Sequence, residues 1–267
     1  MKSAPEREPS DILAMLHKLN AVSEENMSLW HVQPDLFPVT PDVHAQTEYS
    51  AGEIPIGDKM IKITMLASRD IGNTSLSVHV DKNALIGMVR ALQRLATRQE
   101  GVFALEEITI SLHQPKNPNT GESANGISPT TYLPHETDER YIEPMHSGTI
   151  ILFPAAFSTD PFRGSIADVP HIEGVLTHES AHQFVAYNEI PLAEQWRRAT
   201  GWEGTDEPGE FANTSPSEFP TLYAAVSPPE DFAESYALYV CAPERLKEIS
   251  RRRYDFFEKT SLTQEDE

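Results

Sequence analysis

Apolar residues recur at the spacing of one helical face in two parts of the first half of the chain. The first part covers residues 12–19, after Ser10 or Asp11, either of which is a good N-cap. The second begins at Asp81 or Asn83, and its apolar stripe consists of Leu85, Met88, Val89, Leu92 and Leu95. Both patterns predict amphipathic helices that bury one face.

Four other segments have the pattern of β-strands. Apolar and polar residues alternate over residues 61–65, 76–80 and 107–112, while residues 149–153 (TIILF) are almost entirely apolar, as in a well-buried strand. Residues 32–58 are rich in proline and lack periodicity, and we expect them to be irregular. About thirty residues rich in Pro, Asn, Gly, Ser and Thr end near His146 and predict a long loop before the last strand.

The order of these elements favours an α+β fold, in which later helices pack on a small mixed sheet. We expect a single domain over residues 11–258. Its N-terminal part (11–147) contains the long loop, and its second part (148–258) contains the last strand and the later helices. Residues 1–10 and 259–267 are expected to be tails.

Composition and charge argue against some classes of protein, such as those that bind nucleic acid or span a membrane. The 267 residues include 41 acidic against 21 basic ones, a formal charge of −20, which disfavours binding to nucleic acid through a basic face. No apolar run is long enough to span a membrane, and the N-terminus lacks the apolar stretch of a signal peptide. We therefore expect a cytoplasmic protein that does not bind membranes, although secretion by a specialised route stays open. The oligomeric state is not readable from the sequence.

The segment His178-Glu179-Ser180-Ala181-His182 carries the clearest chemical signal, the pattern H-E-x-x-H. Residues four apart on a helix lie one turn above each other, so both imidazoles can bind one metal ion. Glu179 is then placed to accept a proton from the water that the metal activates. The alternative is an amphipathic helix whose histidines form local hydrogen bonds.

A catalytic zinc site needs a third protein ligand, and Glu230 is the best candidate. Ser227 and Pro228 suit the start of a helix that places Glu230 and Glu234 on one side. Glu230 would bind the metal, and Glu234 would accept the far N–H of a ligating imidazole. Two alternatives stay open: Glu230 could complete a capping box with Ser227, and Glu234 could be an exposed helix carboxylate.

H-E-x-x-H followed by E-x-x-x-E on a later helix resembles the gluzincin metallopeptidases, in particular the catalytic domain of anthrax lethal factor and related bacterial zinc peptidases. The resemblance covers about residues 171–257 and implies a zincin-like fold with an active-site helix and a following helical subdomain. It implies zinc ligands at His178, His182 and Glu230, the general base at Glu179, and support of a histidine by Glu234. It also implies that Tyr223, seven residues before Glu230, helps to stabilise the transition state.

The predicted function is hydrolysis of peptide or protein substrates by a zinc-dependent endopeptidase. One alternative is a regulatory or non-catalytic zinc-binding module, and another is a zinc hydrolase of a non-peptide amide. In the endopeptidase, strand 149–153 would expose an edge to which an extended substrate adds.

Five further features have other candidate roles. Asp231 could replace Glu230 as ligand if the helix were rotated, and His171 could add a ligand but fits the surface better. His146 could reach the substrate, although a solvated loop residue is the default, and Cys241 is expected to be a small buried residue. The arginines at residues 251–253 are expected to pair with carboxylates of the chain itself.

Overall fold

A computed structural model describes fourteen segments of the chain. The segments are residues 14–15, 18, 46–56, 59–68, 80–98, 105–111, 114, 123–128, 130–134, 142–146, 148–164, 166–187, 189–207 and 210–262. Of the helix predicted over residues 12–19, only residues 14, 15 and 18 are described, and they are helical. Most of the alternation at 76–80 lies outside the described residues.

The described part is a mixed α+β structure built on a small mixed sheet, as predicted. The sheet has five strands in the order β1-β2-β3-β7-β4. Strands β1 (Gln46–Ile56) and β2 (Lys59–Ser68) pair antiparallel, and β3 (Glu107–Ser111) and β7 (Thr149–Leu152) continue the sheet in parallel. The two-residue strand β4 (Gly126–Ile127) pairs antiparallel with β7 and ends the sheet.

Two predictions about irregular chain were wrong. Strand β1 occupies part of the segment predicted to be irregular, because a register shift between Ser50 and Gly52 interrupts its alternation of buried and exposed residues. The predicted long loop contains β4 and the antiparallel hairpin of β5 (Thr130–Pro134) and β6 (Ile142–His146). His146 therefore ends a strand, and its side chain lies outside the described ones.

Besides the helical residues 14, 15 and 18, the described part of the chain contains six α-helices. They are α1 (Lys82–Arg98), α2 (His171–Tyr187), α3 (Glu189–Thr200), α4 (Pro228–Cys241), α5 (Pro243–Ile249) and α6 (Arg251–Leu262). Helix α1 begins as predicted, because Oδ1 of Asp81 accepts a hydrogen bond of 2.7 Å from the Ala84 amide. None of the described helices is long and apolar enough to cross a membrane.

Short hairpins connect or follow the helices. Strands β8 (Pro161–Phe162) and β9 (Ile166–Pro170) lead into α2, and β10 (Trp202–Gly204) and β11 (Phe211–Asn213) follow α3. Most of the buried apolar residues form one cluster that runs from Met15 to Phe257, through both predicted parts of the domain. The exact domain boundaries stay a prediction.

Helix α2 is held in the middle of this core. A Cβ atom at Gly174 would lie 2.2 Å from Cγ of Phe162, so the helix can approach β8 only with glycine at this position. Further along α2, the Gln183 side chain donates a 2.5 Å hydrogen bond to the carbonyl of Thr149 in β7. The helix that carries the H-E-x-x-H motif is thus fixed against both a hairpin and the sheet.

Candidate metal centre

Helix α2 places the two motif histidines one turn apart, as predicted. The Nε2 atoms of His178 and His182 lie 3.2 Å from each other, and the ring centroids are 4.9 Å apart. The side chain of His178 is 6% exposed and that of His182 is 22% exposed, so solvent reaches the pair from the His182 side.

The start of α4 brings Glu230 to the same place. Ser227 is the N-cap and Pro228 the first helical residue, as predicted, and the Glu230 amide donates a 3.4 Å hydrogen bond to Oγ of Ser227. The Glu230 carboxylate faces the histidines: its Oε2 atom lies 3.2 Å from Nε2 of His178 and 3.5 Å from Nε2 of His182. Of the two hydrogen bonds of the alternative capping box, the structure therefore shows only the one that Oγ of Ser227 accepts.

These three atoms form a nearly equilateral triangle with the dimensions of a metal site. Zinc bonds of about 2.0–2.1 Å in a tetrahedral array put neighbouring ligand atoms about 3.3 Å apart. The separations of 3.2, 3.2 and 3.5 Å match this value. Oε2 of Glu230 is buried and makes no aligned hydrogen bond, so an atom at the centre of the triangle would satisfy it.

The described residues contain this one group of three side chains that could hold a metal ion, His178, His182 and Glu230. Two imidazoles and a carboxylate suit zinc, and they also suit other divalent transition metals. The donor set therefore fits a divalent cation, and zinc as its identity is a prediction.

Strong electrostatic coupling links these side chains. Burial alone would lower the pKa of His178, but its contacts with Glu230 and Glu234 outweigh burial and raise the pKa to about 10. Burial would raise the pKa of Glu230, and the two histidines instead hold it far below its usual range. The cluster is thus built to hold positive charge at its centre, and a bound cation would replace the proton on His178.

Glu234 lies behind His178 and is fully buried, which excludes the alternative of an exposed carboxylate. Its Oε1 atom is 2.8 Å from Nδ1 of His178, although the angle at this contact is not that of an aligned hydrogen bond. Oε2 accepts a 2.7 Å hydrogen bond from Thr221. Burial opposes ionisation of Glu234, but Arg163 and His178 lower its pKa to about 2, so it is a carboxylate at neutral pH.

Glu179 lies between the two histidines in the sequence. Its side chain is buried and faces the edge strand β4. A Cβ atom at Gly126 would lie 2.9 Å from Cγ and 3.0 Å from Oε1 of Glu179, so the backbone of β4 passes directly against this carboxylate. Burial raises the pKa of Glu179, and the nearby histidines His178 and His182 oppose this shift. A buried carboxylate of raised pKa suits a group that accepts and returns a proton.

Tyr223 also lies beside His178, in a short 3-10 helix over Tyr223–Ala225. The ring centroids of Tyr223 and His178 are 6.0 Å apart. The structure thus brings together all six predicted site residues: the three ligand candidates, Glu179, Glu234 and Tyr223.

The other candidates are placed elsewhere. Asp231 is not a ligand, because both its oxygens bind the guanidinium of Arg253, at 2.9 and 2.8 Å, and one of them accepts from Trp202. His171 contacts Asn125 at 3.1 Å and is not part of the group of described residues that could hold a metal ion. Cys241 lies beside Thr177 and is partly buried, and burial raises its pKa.

The pairing predicted for the arginines at residues 251–253 is confirmed. Arg251 pairs with Asp255, Arg252 with Glu218, and Arg253 with Asp231.

Sequence reasoning missed three residues of the site: Arg163, Thr221 and Gly126. Nε of Arg163 donates a 2.8 Å hydrogen bond to Oε1 of Glu234, and Nη2 contacts the same oxygen. The distances along the chain, 71 residues from Arg163 to Glu234, explain why no local pattern marks the contact. Arg163 also has a φ of 53°, which is uncommon for a residue other than glycine.

Comparisons of the chain with models of protein families, with curated proteins and with solved structures found no match. Membership of the gluzincin family and the zincin-like form of the fold therefore stay predictions.

Proposed function

We propose that the protein is a zinc-dependent endopeptidase. The observation that carries this proposal is the triangle of Nε2 of His178, Nε2 of His182 and Oε2 of Glu230, whose edges fit a tetrahedral zinc site with one position left for water. Glu179, a buried carboxylate on the same helix as the two histidines, supplies the acid–base group that hydrolysis needs.

Each side chain has a role that follows from its position. A zinc ion bound by the three ligands would activate water and polarise the scissile carbonyl. Glu179 accepts the proton of the attacking water and passes it to the leaving amine, which balances the reaction. Tyr223, next to His178, donates a hydrogen bond to the oxyanion that develops on the substrate.

The edge for an extended substrate is β4 rather than the predicted strand 149–153. Strand β7 (Thr149–Leu152) pairs with β3 along its length and with β4 at Ile151 and Leu152, so it lies inside the sheet. Strand β4 ends the described sheet, and its Gly126 lies against Glu179. A peptide added to β4 would therefore run directly past the general base.

Two alternative functions are a regulatory or non-catalytic zinc-binding module and a zinc hydrolase of a non-peptide amide. Structural zinc sites normally have four protein ligands, and the group in the described residues has three, which favours catalysis over a regulatory or non-catalytic module. A zinc hydrolase of a non-peptide amide would use the same residues, and only the substrate separates it from an endopeptidase.

Replacement of Glu179 by glutamine tests the proposal. Glu179→Gln keeps the shape of the side chain but removes the base, so cleavage of a peptide from a proteome-derived library should fall about 10²–10⁴-fold. Bound zinc, measured by elemental analysis, should stay at one ion per chain. Glu194→Gln, at a partly exposed residue of α3 that pairs with Arg198, is the matched control and should behave as wild type.

Three outcomes would contradict the proposal. Cleavage by Glu179→Gln at the wild-type rate would remove Glu179 from the mechanism. Wild type that holds one zinc and cleaves neither peptides nor small amides would favour the regulatory module. Turnover of small amides without peptide cleavage would favour the non-peptide hydrolase.

A further inference from the structure

Arg163 lies between two side chains of the proposed site, Glu234 and Tyr223. On one side, its Nε and Nη2 atoms contact Oε1 of Glu234, the same oxygen that lies 2.8 Å from Nδ1 of His178. On the other side, its guanidinium carbon lies 4.2 Å from the ring centroid of Tyr223. The guanidinium of Arg163 thus contacts both the Glu234 carboxylate, which lies behind the ligand candidate His178, and Tyr223, the proposed oxyanion donor.

The turn that carries Arg163 is firmly held. Phe162, the preceding residue, is fully buried and packs directly on the backbone of Gly174 in α2, one turn before His178. The Gly164 amide donates a 2.8 Å hydrogen bond to the carbonyl of Pro161, which closes the turn. The left-handed backbone of Arg163 persists in this setting because the surrounding contacts over-determine it, a feature that clusters at functional sites.

Thr221 closes the network on the side of Tyr223. Its hydroxyl donates to Oε2 of Glu234 at 2.7 Å and accepts from the Ala224 amide at 3.2 Å, within the short helix that begins at Tyr223. Glu234 is therefore tied to Tyr223 through two routes, Thr221 and Arg163.

The charge of Arg163 also balances the other charges of the site. When ionised, Glu179, Glu230 and Glu234 bring three negative charges into a largely buried space. A divalent cation at the triangle and the guanidinium of Arg163 bring three positive charges. The site with its metal is neutral only if Arg163 is counted, and an uncompensated buried charge is costly.

We propose that Arg163 is a positioning residue, which holds the Tyr223 ring beside His178 and the Glu234 carboxylate behind it. The placement of the ring is independent of catalysis, whereas the effect on turnover rests on the proposed function. A guanidinium suits this task because it can offer its face to an aromatic ring and its N–H edge to a carboxylate at the same time. A lysine ammonium cannot make both contacts in the same way.

The first measurement requires no activity. In zinc-loaded full-length protein with ¹³C-labelled tyrosine rings, the Tyr223 resonance is the one that Tyr223→Phe removes. We expect Arg163→Gln to shift this resonance and Arg163→Lys to shift it by less. Arg94→Gln, which removes another arginine paired with a buried glutamate of α2, Glu173, is the matched control and should leave it in place.

The second measurement is a kinetic cycle on a peptide cleaved by wild type. Arg163→Gln should lower kcat about tenfold or more, with KM within about twofold, because it loosens a group that acts in the transition state. In a Tyr223→Phe background the same change should lower kcat by less than about threefold, since the oxyanion donor that Arg163 positions is then absent and only its contact with Glu234 is lost. Arg163→Lys should have a kcat between those of wild type and Arg163→Gln.

Two results would overturn the proposal. One is an unchanged Tyr223 resonance in both Arg163 variants, each with one zinc per chain. The other is a kinetic loss from Arg163→Gln that is as large in the Tyr223→Phe background as in the protein that keeps Tyr223. If wild type cleaves no peptide, the proposed function fails, and the resonance alone decides the role of Arg163.

Discussion

At the scale of single residues, the site is a cluster of titratable groups whose charges depend on one another. His178 lies between two carboxylates, with Glu230 facing Nε2 at 3.2 Å and Glu234 facing Nδ1 at 2.8 Å. These carboxylates raise the pKa of His178 to about 10 against the effect of burial. Without a metal ion, a proton therefore occupies the position where a cation would bind.

Zinc binding should consequently depend on pH well above neutrality. Because His178 keeps its proton up to about pH 10, zinc must displace that proton throughout the neutral range. Apparent zinc affinity should rise about tenfold for each pH unit between pH 7 and 9, as expected for one displaced proton. Competition with a chromophoric chelator measures this slope. An affinity that does not change over this range would show that His178 is already neutral.

At the scale of secondary-structure elements, the site depends on how closely three elements approach one another. Helix α2 brings the histidines and Glu179, α4 brings Glu230 and Glu234, and β4 passes over the Glu179 carboxylate. The approach of β4 is possible because residue 126 has no side chain. Gly126 thus sets the distance between the proposed substrate-binding edge and the proposed general base, Glu179.

A methyl group at residue 126 should therefore disturb activity without removing the metal. In Gly126→Ala, the new Cβ would lie 2.9 Å from Cγ of Glu179, so this side chain must move. A displacement of about 1 Å costs up to about 100-fold in rate, and we expect kcat/KM to fall about 10- to 100-fold with one zinc still bound.

The control for this substitution is Gly204→Ala in β10, where a Cβ atom would meet nothing within 4 Å. Peptide cleavage and zinc content of both variants are compared with those of wild type. Wild-type kcat/KM in Gly126→Ala would show that Glu179 has room to move without loss of function.

At the scale of the whole molecule, a second buried network supports the site from the C-terminal side. Asp231, next to the ligand candidate Glu230, is fully buried and binds Arg253 of α6 and Trp202 of β10. Arg253 is also fully buried. This ion pair ties the start of α4 to the last described helix, so the position of Glu230 depends on residues far from it in the sequence.

Removal of the arginine should destabilise the whole fold. Arg253→Met leaves the carboxylate of Asp231 buried without its partner, and such a change costs about 3–5 kcal/mol. Arg251→Gln, which removes an exposed arginine of the same helix, should change the free energy of unfolding by less than about 0.5 kcal/mol. Urea denaturation of the metal-free proteins measures both values. A loss below about 1 kcal/mol in Arg253→Met would show that Asp231 finds other partners.

Local patterns predicted the parts of the molecule that local chemistry determines. Asp81 at the start of α1, Ser227 and Pro228 at the start of α4, and the spacing of the histidines are each readable within a few residues. Strand β1 was missed because its register shift interrupts the alternation. Arg163 was missed because its partners lie 60 and 71 residues further along the chain, and only tertiary packing brings them together.

The central claim is that His178, His182 and Glu230 hold one zinc ion, and metal analysis tests it most directly. Zinc-loaded protein, freed of excess metal by dialysis, is measured by elemental analysis beside His182→Ala, Glu230→Ala and the surface control Glu194→Gln. We predict one zinc per chain in wild type and the control, bound to nitrogen and oxygen at about 2.0–2.1 Å by X-ray absorption, with most of it lost from the two site variants. Wild type without zinc, or site variants that retain it fully, would contradict the claim.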